Sequence, residues 1–139
     1  MEKSNEPNRK TRSQMREHII VKLYQMDIID DFTVRKTPYE FVNEALKTIS
    51  SQLQAIDALL EASLFDWKLK RLSFVDRAIL RLAAYEMKFT DTPVEIIIDE
   101  SLNLTHKFSD EGDKKHVSFN NRVLENLAGS LGRKEGSHG

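Results

Sequence analysis

SFVDRAILRLAAYEMKFTDTPVEIIIDESLNLTHKF, residues 73–108, decides the fold. It parses as two helices with a break between them. Ser73 is placed to cap the first: its hydroxyl can accept from the free backbone N–H three residues on, while Asp76 reaches back toward it. Val75, Ala78, Ile79, Leu82 and Ala83 then recur at helical spacing and make one apolar stripe. Thr92-Pro93-Val94-Glu95 opens the second helix. Thr92 caps, Pro93 occupies the first turn, where its missing N–H costs nothing, and Glu95 completes the box. Val94, Ile97, Ile98, Ser101, Leu104, Thr105 and Phe108 continue the buried side. Joined by a short linker, the two form an antiparallel pair, and such a pair needs other helices to cover its apolar faces.

The flanking sequence supplies them. Upstream, a helix is expected from Thr11 to Met26, capped by Thr11 with Gln14 at the box position, with Met15, Ile19, Leu23 and Met26 on one face. After a polar connection over 27–36, a second T-P-x-E box at Thr37 to Glu40 opens one long helix to about Ala62, with Phe41, Ala45, Ile49, Leu53, Ile56 and Leu60 at spacings of three and four. Residues 66–72 read as a short helical turn. A last helix runs from about Val117 to Leu127 and is ended by Gly129. Glycine is missing before Gly112, and Pro7, Pro38 and Pro93 each stand beside a helix start. The one β-branched run, Val94 to Ile98, lies inside a capped helical pattern, so the architecture is all-α.

Composition narrows the function. At 139 residues the chain is one domain, or two small subdomains sharing a core. The divisions read as a flexible basic arm over 1–10, a helical domain over 11–131 with subdomains of about 11–65 and 66–131, and a disordered tail over 132–139. With no bilayer-length apolar run and no signal peptide, the expected location is cytoplasmic, with no membrane partner. The absence of cysteine removes disulfides, thiolate nucleophiles and cysteine zinc sites together. His18, His106, His116 and His138 are scattered, so no metal is expected. Asp99 and Glu100 diverge by about a hundred degrees around a helix, and no glycine-rich phosphate loop exists. The chain is therefore read as no enzyme and as using no cofactor.

A net charge of -1 gives no global attraction for nucleic acid, so only a local patch can provide it. Arg9, Lys10, Arg12 and Arg16 gather at the start of the first helix, where the macrodipole is already positive and each added cation costs roughly 0.3–1 kcal/mol. Phosphate binding explains that placement, with free N–H groups adding to the arginines. Two further residues are read as structural: Trp67 as core, and Arg81 as an internal partner of Glu86 or Glu100.

The runs DRAILRLAAYE (Asp76 to Glu86), TPVEIIIDESLNLTHKF (Thr92 to Phe108) and FNNRVLENL (Phe119 to Leu127) resemble, in order, the NusB family of bacterial transcription antitermination factors. The resemblance implies six or seven helices in two small packed bundles. It also implies binding of a boxA-type RNA together with NusE, a small-subunit ribosomal protein, in support of processive rRNA transcription. Other Nus factors and RNA polymerase would then be met indirectly, and a homodimer stays open. The family's RNA-facing surface carries over onto the arm, Tyr24, Asp76, Lys114, Lys115 and Phe119, where aromatics can stack unpaired bases and an aspartate can accept from base N–H groups. Arg77, Asp99 and Asn103 are the candidates for the protein partner.

Two departures from the family pattern matter. Ser13 stands where adjacent arginines are usual, and Arg122 where the last-helix motif has glycine. They motivate the alternative of a helical interaction module that has lost RNA binding. A third reading, the accessory RNA-binding domain of some RNA cytosine methyltransferases, needs a methyltransferase domain for which this length has no room.

Overall fold

The computed structural model describes residues 10–65, 67–108 and 115–133. Arg9 and Lys114, both read as RNA contacts, lie outside them. Within the described residues all regular structure is helical: α1 (Arg12–Ile28), α2 (Glu40–Ser51), α3 (Leu53–Ser63), a 3-10 turn at Leu69–Arg71, α4 (Phe74–Phe89), α5 (Val94–Phe108) and α6 (Lys115–Ser130). None of the helices is long and apolar enough to cross a membrane.

Local chemistry sets the starts. At α1 the Thr11 hydroxyl accepts from the Gln14 N–H at 3.1 Å while the Gln14 side chain accepts from the Thr11 N–H at 2.9 Å, so two orphan donors are satisfied reciprocally. At α4 the Ser73 hydroxyl accepts from the Asp76 N–H at 3.0 Å. Before α5, the Pro93 carbonyl accepts from the Ile96 and Ile97 N–H groups.

α4 is the axis of the molecule. Eleven of its sixteen residues are buried, more than any one-sided stripe allows, because α1, α2, α3, α5 and α6 all pack on it. Ile79, Leu80, Leu82 and Met87 meet Ile19 and Leu23 of α1, Ile49, Ile56 and Leu60 of α2 and α3, Ile97 of α5 and Leu124 of α6 in one continuous core. α1 runs antiparallel to α4. Arg16 reaches Glu86 near one end of the pair, while Tyr24 meets Phe74 and Asp27 meets Arg77 at the other.

Three expectations are corrected. The long helix over 37–62 is two, broken at Gln52 (φ -113°, ψ 24°), beside Ser51, whose hydroxyl donates back to Thr48 O at 3.2 Å, a bond that bends helices. The apolar spacing continues through the bend, so periodicity could not show it. At its start, Thr37 binds Asn43 in place of capping as read: its hydroxyl donates to Asn43 Oδ1 at 2.8 Å. The last helix passes through Gly129 to Ser130 and is closed off by Gly132, whose φ of 71° lets Gly132 N–H bond Gly129 O at 3.1 Å and Arg133 N–H bond Ala128 O at 2.7 Å. Arg133, in the stretch read as a tail, donates to the carbonyls of Met87 (2.8 Å) and Thr92 (2.6 Å) and so binds the end of α4.

Candidate nucleic-acid interface

Basic residues at the start of α1 divide into one that faces out and one that faces in. No acidic residue occupies the first turn. Arg12 is exposed and its guanidinium lies 4.1 Å from the centre of the Phe41 ring on α2, a stacking contact that holds the charge without neutralising it. Lys10 similarly sits 5.6 Å over Tyr39. Arg16 is 5% exposed and forms a two-pronged pair with Glu86, Nε donating at 2.7 Å and an η nitrogen at 2.8 Å. That bond pushes the Arg16 pKa up, against the opposing effect of burial. Arg16 is therefore committed to the protein's own carboxylate, and the expectation that it offers a free guanidinium is corrected.

Ser13 has a definite role here. Its hydroxyl donates to both oxygens of Glu100, at 3.0 and 3.1 Å, and Glu100 also lies 4.0 Å from Arg16. Arg12, Ser13, Phe41, Pro93, Ile96 and Glu100 together border an open cleft of about 530 Å³.

The remaining candidates gather at the far end of α1. Tyr24, 37% exposed, meets the exposed ring of Phe74 edge-on with centroids 6.4 Å apart. Asp76 is 3% exposed: its carboxylate meets His116 Nδ1 at 2.8 Å and accepts from Asn120 Nδ2 at 3.3 Å, so it clamps the start of α4 to the start of α6. That geometry corrects the reading of Asp76 as an open base acceptor. Phe119 is half-buried and meets Trp67 edge-on at 5.9 Å. Trp67 itself, expected in the core, is 50% exposed. Leu64 and Leu69 fill the interior in its place, after Phe65 turns the chain through a φ of 39°. A bulky residue in that region costs of order 1–3 kcal/mol.

The two groups do not merge into one patch. Eight residues along α1 and twelve along α4 separate the Arg16–Glu86 and Tyr24–Phe74 contacts, roughly 12–18 Å at the helical rise. Among the partner candidates, Asp99 and Asn103 are exposed one turn apart on α5. Arg77 turns inward, donating to Asp27 at 2.8 Å and lying 4.3 Å over the Phe74 ring. Arg81 pairs with Asp57 (2.9 Å) and Asp27 (3.0 Å), not with Glu86 or Glu100 as expected; Arg16 takes those two acids instead. The sequence pattern does not single out Phe74, because the Tyr24 ring and the Arg77 guanidinium that meet it are brought there by folding. No group of three or more metal-ligating side chains occurs among the described residues.

Comparison with known proteins places this geometry. The NusB family model matches residues 12–129. The transcription antitermination protein NusB of Geobacillus kaustophilus is 36% identical, covering 86% of this chain and 97% of its own length. Its counterpart in Staphylococcus aureus is 30% identical, covering 84% of this chain and 98% of its own. Among solved structures, T. maritima NusB superposes with a TM-score of 0.75 at 31% identity, over 86% of this chain and 92% of that one. A chain from a structure described as a plectonemic RNA supercoil gives 0.74 at 24% identity, over 86% and 94%, and shares the fold.

Proposed function

The chain belongs to the NusB family of transcription antitermination proteins, which are not enzymes, and from that premise we propose that it acts by holding a boxA-type RNA jointly with the ribosomal protein NusE, in support of processive rRNA transcription. The observation that carries this reading is the start of α1. There the buried Arg16–Glu86 pair fixes the helix end, no acid occupies the first turn, and Arg12 is presented outward on Phe41. The helix carries no anion in its own first turn, and Arg12 is left to meet one from outside.

Between the two ends of α1 the candidates span a length, not a point, so the ligand is an extended strand, with Lys10 and Arg12 meeting phosphate and Tyr24 and Phe119 meeting bases. At the start of α1 Lys10 and Arg12 face out while Arg16 is buried, so RNA affinity alone is weak and the partner completes the site. Asp99 and Asn103 offer it a polar face on α5. Contact with other Nus factors and RNA polymerase follows through that complex.

One observation favours a second reading, an interaction module without RNA binding: the Glu100 carboxylate lies in the α1 cleft and repels phosphate. Fluorescence anisotropy with a boxA RNA and a scrambled one, with and without NusE, at two salt concentrations, separates them. Sequence-selective and partner-enhanced binding is expected. Partner binding with no RNA selectivity assigns the module.

A further inference from the structure

We infer that the Trp67–Phe119 pair is a stacking wall for an unstacked base of single-stranded RNA, with Arg71 and Arg122 meeting the flanking phosphates. The inference rests on the RNA-binding reading and extends it to a tryptophan and a cleft that reading does not use.

Four observations converge. The indole is half exposed although the core beneath it is already filled by Leu64 and Leu69, so packing does not account for its position. Its ring stands at 76° to Phe119, and the pair separates two clefts. The larger, about 330 Å³, is bordered by Leu72, Ser73 and His116, with Arg71 on its rim. The smaller, about 120 Å³, is bordered by Phe65 and Arg122. The larger volume is at the lower end of the range for small-molecule sites, roughly 300–1,000 Å³, which suits one nucleotide and not a stacked duplex.

Charge identifies the occupant. Among the described residues, arginines stand on both sides of the wall, and the carboxylate at its base, Asp76, is turned to His116 and Asn120. A ligand that is flat and apolar at its centre and anionic at its edges matches this arrangement, and a nucleotide has that form. Phe65 supports the same conclusion. It is 71% exposed in the left-handed region, where a bulky side chain is strained, and strain of this kind collects at ligand sites.

Trp67 is the only tryptophan in the chain, so its fluorescence reports on this wall alone. The experiment titrates the full-length protein with an unstructured boxA-type RNA and with the same RNA annealed to its complement, following Trp67 emission and the anisotropy of labelled RNA in parallel. Single-stranded RNA is expected to quench Trp67 over the concentrations at which anisotropy rises, and the duplex is not. Trp67→Leu should weaken single-strand binding about 5- to 150-fold, the loss of one stacked base, and Trp67→Phe should lose less. If either variant fails to fold, quenching of the wild-type protein decides. Anisotropy that rises while Trp67 emission stays flat overturns the wall but leaves RNA binding in place. No RNA binding in either readout, with NusE present as well as without it, removes both readings. Quenching by NusE and not by RNA overturns the inference and assigns the wall to protein contact.

Discussion

Arg12 and Arg16 are one turn apart and carry the same charge, yet the structure predicts opposite outcomes for their removal. Arg16→Ala leaves Glu86, 1% exposed, as an uncompensated buried carboxylate, and breaking such a pair costs about 3–5 kcal/mol. Urea unfolding should show that loss. Arg12→Ala removes an exposed cation stacked on one ring, and should shift stability by no more than about 1 kcal/mol while weakening RNA binding. Sequence proximity could mark both as basic but could not tell them apart, because Glu86 lies 70 residues away. Glu86 and Glu100 were legible as acids awaiting an arginine; which arginine was settled only by the antiparallel packing of α1 on α4. His18 gives a third test at this scale. Its pKa is pushed down by burial first, then by Lys10 and Lys22, and its Nδ1 has no hydrogen-bond partner. The unfolded chain therefore binds the proton more readily, so this contribution to stability is complete above pH 6.5 and is lost as pH falls through the lower folded value. His18→Phe, which keeps a ring beside Tyr39, should flatten the pH dependence of Tm on the acid side of 6.5.

Asp76 acts between elements. Its carboxylate joins α4 to α6 through His116 and Asn120, and Asn120 also donates to Thr105 of α5 at 3.1 Å. Asp76→Ala should remove the α4–α6 link and leave buried Asn120 short of one acceptor, at about 1–3 kcal/mol, and hydrogen exchange should speed up in α6 more than in α2. Were Asp76 instead an open base reader, the substitution would lower RNA affinity and leave exchange unchanged. Element starts were largely legible in the sequence, since a cap is a local event: Thr11 with Gln14, and Ser73 with the Asp76 N–H, stand where the residues alone place them. The bend between α2 and α3 was not, because it lies in the backbone of one polar residue, Gln52, while the apolar spacing runs on unbroken. Trp67 failed for a similar reason: a left-handed residue at Phe65 re-aims the chain and hands the interior to Leu69.

At the scale of the molecule, one helix serves every other, and the candidate surface lies at both of its ends. A net charge of -1 means that the protein as a whole does not draw RNA from a distance. What binds must do so through individual contacts, and these can be counted. For single-stranded nucleic acid the slope of log K against log salt is about -0.7 per phosphate neutralised. If Lys10 and Arg12 at the start of α1 and Arg71 and Arg122 beside the Trp67–Phe119 pair each meet a phosphate, the slope is near -3, roughly four times that unit. Arg12→Ala and Arg122→Gln should each reduce it by about 0.7, and the double variant by about twice that, since the two ends share no contact and their effects add. A slope that Arg12→Ala leaves unchanged would take the start of α1 out of the footprint. A slope unchanged in Arg122→Gln would confine the strand to the other end. Since Arg12 and Arg122 share no contact within the protein, the additive loss is what one strand lying on both ends gives, and a double variant that loses no more than one single variant would place the strand on one end only.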